Sequence, residues 1–137
     1  MLTAENQKWL DDVWGKIQTK MSAEVDRIGD KIPYIPKDGK YEDMSEKMIG
    51  WWTNGFWPGM LWQMYHATGD ERYKTAAEGV EKKLDVPLHG GNTDHDTGFL
   101  WLHSAVADYR LTGNEESKTR GIHAANILAG RYNADGK

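Results

Sequence analysis

The sequence predicts an all-α protein built from repeated helical hairpins, and three observations lead to this prediction. Apolar residues recur at spacings of three and four along most of the chain, and no segment has the pattern of a β-strand. One helical segment also resembles another that follows 44 residues later. A chain of 137 residues is long enough for one domain, which we expect to span 1–137.

The first predicted helix covers about 4–27, with Thr3 suited to the N-cap and Glu5 in the first turn. Its apolar residues lie on one helical face: Leu10, Val13, Trp14, Ile17 and Met21. The next segment, roughly 29–50, includes GDKIPYIPKDGKYED, whose two prolines and two glycines prevent the helix from continuing. Loops of that length usually have a function or line a site, so we expect the same of this one.

Four further helices are predicted after residue 56, each with apolar residues at the helical period. Trp57-Pro58 begins the second helix because proline is tolerated in a first turn, and Thr68-Gly69-Asp70 ends it. Pro87 is expected to end the third helix. The predicted bounds are about 57–67, 71–87, 99–111 and 115–130.

The helices form a repeat. The segment TGDERYKTAAEGVEKKL (Thr68–Leu84) aligns with TGNEESKTRGIHAANIL (Thr112–Leu128) at an offset of 44 residues. The dipeptide Gly-Phe also recurs, at 55–56 and at 98–99, each time just before a helix. The repeating unit is therefore a helical hairpin of about 44 residues, a length that is typical of stacked helix pairs.

The repeat has a geometric consequence for two motifs. Equivalent helices of neighbouring hairpins run parallel, so the segments that precede them, WWTNGF and DHDTGF, should lie at the same end of the protein. We call these two segments, 51–56 and 94–99, the rim. Trp52, Phe56 and Asp96 are predicted to share it.

Composition and charge exclude several classes of function. Seventeen Lys and Arg residues against 21 Asp and Glu give a net charge of −4, so we expect neither a nucleic-acid partner nor a membrane partner. No stretch approaches the roughly 18 consecutive apolar residues of a spanning helix. The first residues, MLTAENQKWLDDVW, lack the pattern of a signal peptide, so a cytoplasmic protein is expected. The absence of cysteine excludes disulfides and cysteine-ligated zinc.

Tryptophan is abundant, and four of the seven residues lie in the short segment WWTNGFWPGMLW. A core can use such rings provided that the buried indole N–H groups find partners. Clustered Trp beside Gly and Asn also suits a cleft that stacks sugar rings. Both interpretations stay open on composition alone. The seven residues are Trp9, Trp14, Trp51, Trp52, Trp57, Trp62 and Trp101.

The turn Asp94-His95-Asp96 allows three interpretations, of which a metal site is the weakest. Zinc needs three or four convergent ligands, whereas the side chains of adjacent residues diverge. His89 and His103 do not supply a ligand spacing that would complete a site. We therefore expect no metal and no cofactor.

The other two interpretations concern the two aspartates of this turn. Either Asp94 or Asp96 can cap the helix that follows, where a carboxylate also interacts favourably with the helix dipole. Alternatively, one of them is a general acid or base in a cleft, which would call for burial or for a second carboxyl group nearby. Asp43 and Glu46 are the candidates for that second group by elimination.

Three segments together resemble the unsaturated glucuronyl hydrolases of glycoside hydrolase family 88. They are RIGDKIPYIPKDGKY (27–41), GWWTNGFWPGMLWQMYHATGD (50–70) and the motif DHDTGF. The resemblance covers nearly the whole chain. It implies a six-hairpin α/α toroid, of which residues 1–137 would be the N-terminal part.

The resemblance also implies an activity and its residues. Such enzymes act on a 4,5-unsaturated uronic acid at the non-reducing end of an oligosaccharide: a carboxylic acid protonates C4, water adds at C5, and the hemiketal opens to release the sugar. It implies that Asp96 is one of two catalytic aspartates. Trp52 and Phe56 would line the uronate subsite, with His95 as a further substrate-binding residue.

Two other functions stay open, because the second catalytic aspartate of that family lies in a later hairpin and has no counterpart in this sequence. One is a non-catalytic helical-repeat module that binds a sugar or a partner through the rim. The other is a different α/α-toroid enzyme, such as a rhamnogalacturonyl hydrolase. In each case an open arc of hairpins would expose an apolar helical edge, and we expect self-association through that edge.

Overall fold

The computed structural model describes residues 2–91 and 93–136, so Met1, Asn92 and Lys137 lie outside the described residues. Within these ranges the chain is all-α, as predicted, with no β-strand. None of the helices there is long and apolar enough to cross a membrane. The helices are α1 (Ala4–Ile28), α2 (Phe56–Thr68), α3 (Glu71–Gly90), α4 (Thr97–Trp101), α5 (Ala105–Thr112) and α6 (Glu115–Gly130).

Helix α1 begins and ends where the sequence predicts. The Thr3 hydroxyl accepts a hydrogen bond from the Asn6 N–H at 3.2 Å, and Gly29 follows the helix with a φ of 57°, which favours glycine. The predicted apolar face is largely exposed in the first half of α1, where Trp14 is 37% accessible. Contact with the core begins at Met21, so amphipathic spacing alone overestimated how much of this helix is buried.

The 44-residue repeat is visible as two hairpins with the same corner. Gly69 and Gly113 both adopt the left-handed conformation, with φ values of 70° and 77°. Before each glycine a threonine hydroxyl donates to the carbonyl four residues earlier, at 2.7 Å for Thr68 and 2.9 Å for Thr112. The next helix starts in both cases with a side-chain cap. The hairpins are α2–α3 and α4–α5–α6; the complete six-hairpin toroid stays a prediction.

The predicted fourth helix, 99–111, is interrupted in the structure. Helix α4 ends at Trp101 and α5 begins at Ala105. Ser104, which is buried, has φ and ψ values of −104° and −91°, and its hydroxyl donates to the Leu100 carbonyl at 2.6 Å. The ψ of Ser104 departs from the helical range and so interrupts the helix, and its hydroxyl occupies a carbonyl that a helical N–H would otherwise use.

The predicted end of the third helix at Pro87 is also wrong, because α3 continues through Pro87 to Gly90. Proline cannot donate to the carbonyl one turn earlier, which normally ends a helix. Pro87 and Leu88 are both buried here, so packing against the core offsets the missing hydrogen bond.

The core lies between the two hairpins and the end of α1. It takes three of the seven tryptophans, Trp57, Trp62 and Trp101, which are at most 4% exposed. The Trp57 indole donates to the Gly29 carbonyl at 3.0 Å and so fixes the end of α1 against α2. The core interpretation is therefore confirmed for these three residues. Trp52 at the rim is 37% exposed, and its role in stacking a sugar ring stays a prediction.

Two glycines of the first hairpin let the two hairpins approach closely. A Cβ atom at Gly55 would lie 2.0 Å from the Phe99 carbonyl oxygen, and one at Gly59 would lie 2.9 Å from the His103 Cβ. The step of four residues from Gly55 to Gly59 thus matches the step of four residues from Phe99 to His103. The two segments run parallel, as the repeat predicts, and the rim segments lie at the same end.

Candidate functional site

The rim carries a group of four neighbouring rings, Trp52, Phe56, Phe99 and His103, which pack edge-to-face or tilted and which we call the aromatic cluster. The ring centroids of Trp52 lie 5.8 Å from Phe56 and 5.7 Å from Phe99. Phe56 lies 5.9 Å from Phe99 and 5.1 Å from His103. Such separations are those of favourable aromatic pairs. Trp52, Phe56 and Phe99 are each 37–42% exposed, so the cluster presents ring surface to solvent.

The conformation of the WWTNGF segment depends on Asn54, which is fully buried. Its side-chain amide donates to the carbonyls of Met48 and Ile49 at 2.9 Å and 2.8 Å. These bonds tie the preceding loop to a single 3-10 turn, Trp52–Gly55. Trp52 is therefore presented from a turn that is anchored on both sides, by Asn54 and by the contact of Gly55 with the second hairpin.

The two aspartates of the turn Asp94-His95-Asp96 form different hydrogen bonds. The Asp94 carboxylate accepts the Asp96 N–H at 2.8 Å, and the Asp94 carbonyl accepts the Thr97 hydroxyl at 2.6 Å. Asp96 stands at the N-cap position of α4, yet its side chain forms no capping hydrogen bond. Neither side chain therefore caps α4: the Asp94 carboxylate stabilises the turn before the helix, and the Asp96 carboxylate is left available to a ligand.

The Asp96 side chain is 27% exposed, and its Oδ1 lies 3.6 Å from Nε2 of His95. His95 itself points into solvent, with 79% of its side chain exposed. The Phe99 N–H donates to the Asp96 carbonyl at 2.8 Å, so the acid lies one helical turn from a ring of the aromatic cluster.

The structure therefore brings Trp52 and Phe56 into direct contact and places Asp96 at the same rim through Phe99. Among the described residues no hydrogen bond joins Asp96 to the other two. The roles of Asp96, Trp52, Phe56 and His95 stay predictions.

Sequence reasoning missed three residues of this rim. Phe99 and His103 complete the aromatic cluster, and Asn54 supports it. The repeat gave a signal for Phe99, since Phe56 and Phe99 follow equivalent glycines. No local signal pointed to His103, which enters the cluster because Gly59 lets its backbone approach.

A shallow pocket separates the two rim motifs. Met48, Gly50 and Trp51 line one side of it, and Gly91, Thr93 and Asp94 line the other. The loop before WWTNGF and the loop before α4 thus face one another, which is the arrangement that the parallel hairpins predict.

Asp43, a candidate for the second acid, is engaged in holding the long loop. Its Oδ1 accepts the N–H groups of Ile32 and Ser45, both at 3.0 Å, and its Oδ2 lies 3.4 Å from Lys83 Nζ. Burial works to raise the pKa of Asp43, but these hydrogen bonds and the Lys83 ammonium lower it below its usual value. A carboxylate held ionised in this way is poorly suited to donate a proton. Glu46, the other candidate, is exposed in the short turn Met44–Glu46.

In residues 2–91 and 93–136 no group of three His, Asp or Glu side chains is arranged to hold a metal ion. The rim offers ring faces and one carboxylate with no capping partner. This combination can stack a sugar ring and exchange a proton with it.

Comparison with known proteins gives relatives of one kind. The chain is 34% identical over 114 residues to the unsaturated glucuronyl hydrolase of Bacillus sp. (strain GL1), covering 80% of this chain and 29% of that protein. It is 35% identical over 102 residues to the unsaturated chondroitin disaccharide hydrolase of Streptococcus pyogenes serotype M1, covering 73% and 25%. No family model matches the chain.

Solved structures lead to the same class of protein. The crystal structure of the unsaturated glucuronyl hydrolase from Bacillus sp. GL1 matches with a TM-score of 0.70 and 31% identity over 82% of this chain and 30% of that one. A mutant of the unsaturated glucuronyl hydrolase from Streptococcus agalactiae, complexed with dGlcA-GalNAc6S, matches with a TM-score of 0.66 and 31% identity over 79% and 29%.

The fold and the rim thus define an all-α protein of helical hairpins with an aromatic rim. By sequence and by structure the chain is related to the unsaturated glucuronyl hydrolases, and the resemblance predicted from its motifs is confirmed. It spans about 30% of the length of the relatives that it matches.

Proposed function

We propose that the protein hydrolyses oligosaccharides that end in a 4,5-unsaturated uronic acid, by hydrating the C4=C5 bond of that sugar. The single observation that carries this proposal is the pairing of the aromatic cluster with the uncapped carboxylate of Asp96 at one rim. The printed names of the relatives, and the dGlcA-GalNAc6S held by one of their solved structures, support the same substrate class.

In the proposed site each residue has a separate task. The exposed faces of Trp52 and Phe56 stack the flattened ring of the unsaturated uronate. Asp96 exchanges protons with the substrate: C4 gains a proton from a carboxylic acid, and C5 gains the hydroxyl of a water that loses its proton to a base. The hemiketal formed at C5 then opens, and the C–O bond to the next sugar is lost without direct displacement at the anomeric carbon.

Replacement of Asp96 tests this proposal. In Asp96→Asn the carboxyl that exchanges protons is gone while the size of the side chain is kept, so we expect turnover to fall by at least about 100-fold. The measurement is the loss of the ultraviolet absorbance of the C4=C5 bond. Asp135→Asn, an exposed aspartate far along the chain from the rim, is the matched control and should keep full activity. Undiminished turnover in Asp96→Asn would contradict the assignment.

A second function is favoured by one observation: in the described part of the chain, the carboxylates of Asp94 and Asp43 both accept backbone N–H groups, and neither is hydrogen-bonded to the carboxyl group of Asp96. A rim with one free acid suits a module that binds the unsaturated sugar without hydrolysing it. That module predicts binding by calorimetry with no change in absorbance. In either case Trp52→Ala should weaken binding about tenfold, whereas Trp14→Ala, equally exposed on α1, should not.

A further inference from the structure

A groove of about 450 Å³ runs between α2 and α5 and starts at the aromatic cluster. Phe56 and His103 line this α2–α5 groove and also belong to the aromatic cluster, so the groove continues the rim site rather than forming a separate one. From Phe56 it follows α2 to His66, ten residues further and roughly 15 Å along the helix axis. That length accommodates more than one sugar ring.

The charge of the groove is opposite to that of the protein. The residues lining it include Gln63, His66, His103 and Arg110, and none of the described residues there is an Asp or a Glu. The chain as a whole carries a net charge of −4. A groove without carboxylates in an acidic protein favours an anionic ligand.

Arg110 is the residue that gives the groove its fixed positive charge. Arg27, Arg72 and Arg120 form ion pairs with acidic side chains, whereas Arg110 forms none with the residues that the structure describes. Its guanidinium is therefore available, and guanidinium groups bind sulfate and carboxylate oxygens in a bidentate manner. The amide of Gln63 and the imidazole of His66 offer hydrogen bonds to sugar hydroxyls.

We propose that the α2–α5 groove is a subsite for the sugar units that follow the unsaturated uronate, and that Arg110 selects units bearing a sulfate or carboxylate group. This inference rests on the proposed function, because the first sugar is placed against the aromatic cluster. The inference adds to the proposed function the chemical class of the neighbouring sugar. The apolar part of the groove, including Met60 and Leu111, supports the ring while Arg110 binds its charge.

The test uses three unsaturated disaccharides that differ only in whether the second sugar is neutral, sulfated or a uronate. Dissociation constants are measured by calorimetry for the unsubstituted protein, for Arg110→Gln and for the control Arg131→Gln, which removes an exposed arginine outside the groove. Comparing the sulfated and uronate ligands shows which oxyanion Arg110 prefers.

We expect the unsubstituted protein to bind a charged disaccharide at least about tenfold more tightly than the neutral one, which is the effect of one charge-assisted hydrogen bond. In Arg110→Gln the ratio should fall to about one, and in Arg131→Gln it should persist. Equal binding of all three by the unsubstituted protein, or a preference that survives in Arg110→Gln, overturns the inference and leaves the proposed function standing. Binding of none of the three overturns the proposed function and this inference together.

Discussion

Raising the pH through neutrality should destabilise the protein, because a buried carboxyl group must then ionise. Glu81 on α3 is 1% exposed, and its burial raises its pKa from 4.5 to about 7, with the nearby Asp108 carboxylate adding to the effect. The Ser117 hydroxyl contacts Glu81 and also lies 2.7 Å from an Asp108 carboxylate oxygen. One hydroxyl proton cannot serve two carboxylates, so Glu81 keeps a proton and donates it to Ser117, which donates to Asp108.

The other charged groups around Glu81 limit the increase in its pKa without reversing it. Arg120 on α6 lies 3.1 Å from Glu81 and favours its ionised form, but the same guanidinium also pairs with Asp85 and Glu116. The Asp108 carboxyl oxygens accept hydrogen bonds from Thr112 and Asn114 as well as from Ser117. Glu81 therefore shares one cation with two other acids and faces a second carboxylate.

The sign of the effect follows from proton linkage. Between pH 4.5 and about 7 the folded protein holds a proton on Glu81 that the unfolded chain has lost. The free energy of unfolding therefore falls as the pH rises through this window, and the stabilising contribution is complete only below pH 4.5. A shift of this size corresponds to about 3 kcal/mol, since one pKa unit is roughly 1.4 kcal/mol.

Urea unfolding followed by tryptophan fluorescence at pH 5 and pH 8 measures this contribution. Glu81→Gln keeps a hydrogen-bond donor toward Ser117 but cannot ionise, so its stability should fall about 2.5 kcal/mol less than that of the unsubstituted protein between the two pH values. Glu78→Gln, on the same helix but in contact with solvent, should behave like the unsubstituted protein. Equal pH dependence in Glu81→Gln and the unsubstituted protein would refute the assignment of the proton to Glu81.

Two further predictions concern the support of the rim. Gly55→Ala should lower the free energy of unfolding by more than about 2 kcal/mol, because its methyl group would overlap the Phe99 carbonyl. The control is Gly98→Ala, whose methyl group would lie 3.6 Å from Leu128. Equal thermal midpoints in the two variants would count against the close contact. Asn54→Ala should cost about 1–3 kcal/mol, since two carbonyls lose their buried donor, and should weaken sugar binding as well. Unchanged binding by a folded Asn54→Ala variant would show that Trp52 does not depend on this anchor.

The parts of the fold that the sequence predicted correctly depend on local chemistry. Thr3 and Gly29 mark the ends of α1, and the two Thr-Gly corners mark the hairpins, because caps and left-handed glycines act within a few residues. The errors depend on tertiary contacts. Pro87 stays helical because it is packed in the core, and the apolar face at the start of α1 is exposed because no described element covers it.

The same distinction applies to the candidate site. Trp52, Phe56 and Asp96 stand in recognisable motifs, and the repeat was sufficient to predict that they lie at one end of the protein. The structural role of each aspartate in the acidic turn (94–96) needed coordinates, since both residue types can cap a helix and only the hydrogen bonds show which carboxylate is engaged. The sequence did not indicate a function for Arg110, because what distinguishes this residue is that it forms no ion pair with the residues that the structure describes.

The close contact of Gly55 and Gly59 with the second hairpin couples stacking of the repeats to the width of the rim. The same two hairpins that meet at these glycines also carry the facing rings Trp52, Phe56 and Phe99. Any side chain larger than hydrogen at Gly55 would separate the hairpins and, with them, the rings. Under the proposed function, selectivity would therefore vary through side chains away from the glycine contact, such as those along the α2–α5 groove, rather than through the spacing of the hairpins.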